Sequence, residues 1–258
     1  MKKLAVLLFS IGIAFSMSAC SSKVDDDALN KLEDIMIENS KIKSANYQAD
    51  MTVDDGETDV KIIMAGGYLE NEKSSVDMSI SVDMEADGQT IDNYMQMYLV
   101  DNVMYFNVMD MIKQKMDLNT LITSDSLPST TTEDKTTFDK EAIKAYLTEA
   151  SLDGDSLKLV FDDKKINEEL KKTLEENNTS SLTSNSSFTI SSLEANIDTK
   201  DNLLNKATFT ADMSATEGET TQDVKFTIML TMKDHNKVDT LDIPDLSDYE
   251  DASIGQSL

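Results

Sequence analysis

The chain contains no arginine and no tryptophan, and it has one cysteine, one histidine and two prolines. Without arginine there is no planar fork to clamp a phosphate or carboxylate through two parallel hydrogen bonds. A lone cysteine cannot close a disulfide within one molecule. With one histidine, neither a His/Cys metal cluster nor a Ser-His or Cys-His catalytic pair is supported. The eight glycines are scattered and build no phosphate-cradling loop. Beyond the first residues, no run approaches the roughly 20 apolar residues of a membrane-spanning helix. Positive charge is scarce as well: 23 lysines face 49 acidic residues, a net charge of −26. Such a surface repels nucleic acid and anionic headgroups, and it also serves plain solubility.

What is present starts with an address. Lys2 and Lys3 precede an apolar run from Leu4 to Phe15, followed by Met17-Ser18-Ala19-Cys20. The run reads as a secretory signal at residues 1–19, too short to span a membrane. Its end resembles the bacterial lipoprotein processing site, although that family usually has leucine where Met17 stands. The resemblance implies that Cys20 receives a diacylglycerol and becomes the new N-terminus. Two or more acyl chains hold firmly where one holds marginally, so the chain is expected on the extracytoplasmic face of the cell membrane, lipid-anchored. Removal of the signal takes only Lys2 and Lys3, leaving 21 lysines against 49 acids and a charge of −28.

The centre of the chain alternates. Val76, Met78, Ile80, Val82 and Met84 interleave with Asp77, Ser79, Ser81 and Asp83, which is a strand with one dry and one wet face. Ala86-Asp87-Gly88 permits a reversal, and Met95, Met97 and Leu99 resume the pattern. The same period runs through Tyr47, Ala49, Met51 and Val53, then Val60, Ile62 and Met64, and later from Val103 to Val108. These five strands joined by short turns make a meander. Gly66-Gly67 predicts a bulge or bend in the second.

Before the meander, Asp25 to Asp27 open a helix carrying Leu29, Leu32, Ile35 and Met36 on one side. After Met109 the signal weakens, and Ser124–Thr137 and Asn177–Ser187 read as polar loops. Between them a helix is expected from Asp139, with Phe138 and Ile143 as a staple and Tyr146, Leu147 and Ala150 on its apolar side, ending at Asp153-Gly154. A strand from Leu157 to Phe161 and a charged helix from Asp163 to Glu176 follow; its thin stripe of Ile166, Leu170 and Leu174 suits a surface position. Three more strands are predicted: Phe188–Ile197, with a phase slip at Ser191-Ser192, then Ala207–Ala215 and Val224–Met232. Ile243-Pro244 stops the β pattern.

Ala45–Met51 with Gly56-Glu57-Thr58 echoes Ala207–Met213 with Gly218-Glu219-Thr220, and after a two-residue insertion Asp59-Val60-Lys61 echoes Asp223-Val224-Lys225. Either a duplication or convergent hairpin chemistry accounts for this. The regions are therefore the signal at 1–19; an anchor, leader and first helix at 20–44; a β domain at 45–245; and a tail at 246–258. The β domain divides into possible halves at 45–123 and 187–245, joined by a helical insert at 138–177.

No enzyme motif emerges. His235 sits in a charged stretch and reads as a surface residue. Asp54-Asp55-Gly56-Glu57-Thr58-Asp59 lacks calcium-loop spacing, and no pair of carboxylates is marked out for glycoside cleavage. No metal and no cofactor is implied. Methionine stands out, with sixteen in all. Met51, Met64, Met78, Met84, Met95, Met97, Met213 and Met232 follow the apolar register of their strands. Unbranched and polarisable, they suit a loosely specified core under helices or a cavity for acyl chains.

Together the Cys20 signal, the meander, the late strands and the Leu241-Asp242-Ile243-Pro244 ending resemble surface lipoproteins with the LolA/LppX lipoprotein-carrier fold. That resemblance implies an α+β protein: a curved, mainly antiparallel half-barrel packed against a few helices, with a lipid-binding cavity and no catalytic residues. The expected lining is Val76, Met78, Ile80, Val82, Met95 and Met97. The expected role is to bind or carry a hydrophobic ligand at the membrane; the alternative is a non-catalytic module presenting an acidic sheet face to a protein partner.

Overall fold

The computed structural model describes residues 23–71, 75–86, 88–118, 138–176, 186–217 and 220–252. Cys20 with its signal, and nearly all of both Ser/Thr-rich loops, lie outside these residues. Strand β1 (Lys23–Val24) leads into helix α1 (Asp26–Asn39). Asp25 caps that helix: its carboxylate accepts the Asp27 N–H, and Asp26 and Asp27 occupy the positive end of the dipole. Six strands follow: β2 (Ser44–Asp54), β3 (Asp59–Glu70), β4 (Val76–Ala86), β5 (Gln89–Val100), β6 (Val103–Val108) and β7 (Ile112–Asp117). Then come α2 (Lys140–Ala145), β8 (Leu147–Asp153), β9 (Ser156–Phe161), α3 (Asp163–Glu176), β10 (Ser186–Lys200), β11 (Leu203–Glu217), β12 (Thr220–Lys233) and β13 (Glu250–Asp251).

All thirteen strands form one sheet in the order β1-β8-β9-β10-β11-β12-β2-β3-β4-β5-β6-β7-β13. It is an open, curved sheet, antiparallel except for the two-residue strands β1 and β13, which run parallel to β8 and β7. Both outer edges thus carry a short flanking strand, one way natural sheets blunt an edge. The two segments that echo each other are neighbours here, since β12 pairs with both β11 and β2. Met51 and Met213 lie on the same face, and their hairpins share a register: Met51 opposes Ile62 and Met213 opposes Val224, each eleven residues further on.

Three expectations need correction. The helix from Asp139 stops at Ala145, and Leu147 and Ala150 belong to strand β8. A register shift between Leu147 and Glu149 sets Leu147 and Ala150 on one side, so a bulged strand mimics the three-residue spacing of a helix. Strand β7 continues the meander past Met109, where the sequence signal had faded. Residues 246–252, read as tail, fold onto the sheet: Tyr249 is 5% exposed, and β13 follows Pro244. The expected slip at Ser191-Ser192 is present as a register shift between Ile190 and Ser192.

The main core lies under α1. Ala28, Leu29 and Ile35 of the helix meet Leu147, Ala150, Leu157, Leu159, Ala195, Ile197 and Ala207 of β8 to β11. Helix α2 packs beside α1, and α3 crosses β10. There the Asn167 amide acts as a substitute strand: its Nδ2 donates to the Ile190 carbonyl at 2.7 Å, and its Oδ1 accepts the Ile190 N–H at 2.8 Å. The three helices described are therefore gathered at one end of the sheet.

A C-terminal strap braces the other end. It leaves β12 at a turn where the Asn236 N–H donates to the Ser44 carbonyl, and its Val238 N–H donates to Ser44 Oγ. Ser79 Oγ donates to the Asp242 carbonyl, Lys113 pairs with Asp248 at 2.7 Å, and the Tyr249 ring stands edge-on to Tyr105 at 5.5 Å. Gly67 makes room for this crossing, because a Cβ there would lie 3.2 Å from Leu241 Cδ2 and 2.8 Å from Asn46 Oδ1.

Candidate apolar binding face

Residues opposite one another in a sheet share a face, so the register can be read across the strands. One row runs Leu152, Leu157, Ile197, Ala207, Leu230, Ala49, Met64, Val82, Met95, Val108, Ile112 from β8 to β7. The neighbouring row on the other face reads Asp198, Lys206, Thr231, Gln48, Ala65, Ser81, Gln96, Asn107, Lys113. A single apolar face therefore spans the molecule. At its β8–β11 end α1 covers it; the strap lies on the opposite, polar face.

Over β2 to β7 the apolar face continues in further rows. Tyr47, Gly66, Ile80, Met97 and Phe106 form one; Met51, Ile62, Met84 and Ile91 form another; Ala45, Tyr68, Met78, Leu99, Met104 and Met116 form a third. Their side chains are largely half-buried, and Val76, Ile91, Ile112, Phe188 and Phe209 on the same face are exposed. Single exposed apolar side chains are ordinary on a protein surface, whereas a contiguous patch marks a contact.

The six residues expected to line a cavity do share this face. Val82 opposes Met95 and Ile80 opposes Met97, with Met78 and Val76 following along β4. They are unequal in burial: Val82 is 5% exposed, Val76 is 41% exposed, and the other four are half-buried. Two hollows lie elsewhere, one at Ser151, Lys158, Asn196 and Asp198 of β8 to β10, the other at Thr52, Lys61 and Glu85, both lined chiefly by residues of the polar face. At the six residues the described strands present an apolar surface.

Tyr47 and Gly66 shape the middle of this surface. A Cβ on Gly66 would fall 1.8 Å from the Ser79 carbonyl oxygen, so β3 and β4 approach there as only glycine allows. The Tyr47 hydroxyl reaches across and donates to that same oxygen at 3.4 Å. Burial pushes the phenol up to about 12. Tyr68 on the same face is also raised, for the same reason.

The chemistry of the rest is sparse. No group of three or more metal-ligating side chains is gathered among the described residues. In the loop from Asp54 to Asp59, Asp55 is held below the usual carboxylate range by the Thr58 and Glu57 backbone N–H groups, and the carboxylates serve turn geometry. His235, expected at the surface, is half-buried with its Nε2 enclosed and unpartnered. No described helix is long and apolar enough to cross a membrane.

No family model and no curated protein matches the sequence. Among solved structures, the chain is similar to LprF from Mycobacterium bovis, with a TM-score of 0.39 and 8% identity, over 86% of this chain and 99% of that one. At that TM-score the likeness decides neither fold nor ligand.

Proposed function

We propose that this chain is a non-enzymatic extracytoplasmic lipoprotein, anchored through Cys20, that holds or carries a hydrophobic ligand on the open half of its apolar face in a half-barrel of the LolA/LppX kind. The observation that carries this reading is the apolar face itself, which runs unbroken from the helix-covered core out over β2 to β7. Burial of apolar area contributes roughly 25 cal/mol per Å², so a chain laid along several rows is retained without enclosure on all sides. The methionines suit this task because thioether side chains adapt to irregular apolar shapes. The Cys20 signal supplies the reason for such a protein to stand at a membrane. On the opposite face the strap already crosses β2 to β7, which reduces the surface left for a protein partner.

Adjacent residues of one strand provide the test, because they point to opposite faces. Native mass spectrometry of the purified protein is expected to show co-purifying lipid. Ile80→Glu, on the apolar face, is expected to lose it, while Ser81→Glu keeps it. Absence of lipid from the unmutated protein, together with no uptake of an uncharged acyl probe, would sink the proposal.

A further inference from the structure

The apolar face carries information about the polar end of its ligand. Across β12 and β2 to β7, from the row of Val53, Val60 and Ala86 to the row of Ala45, Tyr68 and Met78, no position on this face holds a charged side chain. The next position below brings Glu70 opposite Val76, and Lys43 is ion-paired to that glutamate at 3.3 Å. Above, the β2–β3 turn contributes Asp54, Asp55, Glu57 and Asp59. No arginine exists anywhere in the chain. An anionic headgroup resting within these rows would lose water without gaining a cation, since Lys43 at the lower margin is already paired to Glu70, and it would stand beside a carboxylate margin.

Resting on the function proposed above, we infer that the face selects amphiphiles whose polar end is uncharged, of the acylglycerol or neutral glycolipid class, and refuses carboxylate and phosphate headgroups on the same acyl chain. The selection is built from the absence of cations on the face combined with the acidic turn above it. No single residue is responsible, and no single deletion can relax it; adding a cation can.

The experiment is a competition at neutral pH. The full-length protein in an uncharged detergent is offered equimolar monoacylglycerol and monoacylglycerol phosphate of the same chain, and the bound ratio is read by native mass spectrometry. A ratio of about tenfold or more in favour of the uncharged lipid is expected, the ratio set by a 1.4 kcal/mol difference. In Ile91→Lys, which places an ammonium at an exposed position of this face, the ratio is expected to fall at least severalfold. Equal or preferential binding of the phosphate by the unmutated protein, or an unchanged ratio in Ile91→Lys, overturns the inference while leaving the apolar face as a lipid site. Binding of neither lipid overturns the proposed function itself.

Discussion

At the scale of single residues, the centre of the apolar face depends on a tyrosine laid over a glycine. Gly66 has no side chain to pack, and Tyr47, opposite it in β2, covers the gap, an arrangement that offsets the lost contacts of a strand glycine. The Tyr47 phenol stays neutral in the folded state up to about 12, whereas an unfolded tyrosine loses its proton near 10. Between those values the folded state binds more protons than the unfolded one, so stability falls as pH rises through the window and is intact below it. Tyr47→Phe keeps the ring and removes the proton. It is expected to cost about 1 kcal/mol at neutral pH, as for one lost hydrogen bond. It is also expected to flatten the alkaline decline: urea unfolding at a series of pH values should show the gap between the two proteins closing between pH 10 and 12. A gap that stays constant would mean that the hydroxyl is not held neutral by burial.

At the scale of elements, the strap braces the end of the sheet that the three described helices leave uncovered. Tyr249 is its deepest side chain, against Tyr105 and with the Lys113 ammonium 5.9 Å from its ring centre. Tyr249→Ala is expected to destabilise the protein by about 3 kcal/mol, the cost of truncating a buried aromatic, measured by denaturant unfolding. A loss below about 1 kcal/mol would show the strap to be a passenger. Neither the strap nor strand β7 was visible in the sequence, for separable reasons. Proline and polarity made residues 246–258 look like a tail, because the burial of 246–252 comes from one tyrosine and from backbone bonds to a distant strand. Strand β7 was hidden by its turn. Met109 and Asp110 both have positive φ, 53° and 55°, a conformation that usually selects Asn, Asp or Gly, in a three-residue loop between Val108 and its partner Ile112. With methionine at the first place the turn carried no signal. Asp101-Asn102 and Asp201-Asn202 adopt the same pair of positive φ angles with the usual residues. The alternation of β2 to β6 and of β10 to β12 survived translation into structure because each of these strands keeps one dry face over most of its length. The helices' gathering over β8 to β11 did not, since periodicity says which side of a helix is apolar and nothing about which strands it meets.

At the scale of the molecule, the two ends of the sheet are held by different means, and this predicts unequal stability. Around β8 to β11, α1 buries Leu29 and Ile35 against leucine, isoleucine and alanine of four strands, a compact cluster that must come apart together. Around β4 to β7, the apolar face is half-buried methionine, and the opposite face is secured by a strap with one buried tyrosine and a few hydrogen bonds. Local opening follows local burial, and elements that receive ligands come from the less stable end of a protein. Native-state hydrogen exchange is therefore expected to separate two tiers. Amides of β9, β10 and β11 should exchange through global unfolding. Amides of β5, β6 and β7 should exchange faster, by on the order of tenfold or more, through an opening that leaves the helical end intact. The proposed ligand sharpens the expectation, because anything that binds the folded state alone stabilises what it touches in proportion to its occupancy. An uncharged acyl lipid should slow exchange in β4 to β6 and leave β9 and β10 unchanged until the two tiers converge. Uniform protection across the sheet without lipid would mean that the strap stabilises its end as firmly as the helix does. Protection by lipid appearing first in β9 and β10 would move the site to the helix-covered end of the sheet and away from the methionine face.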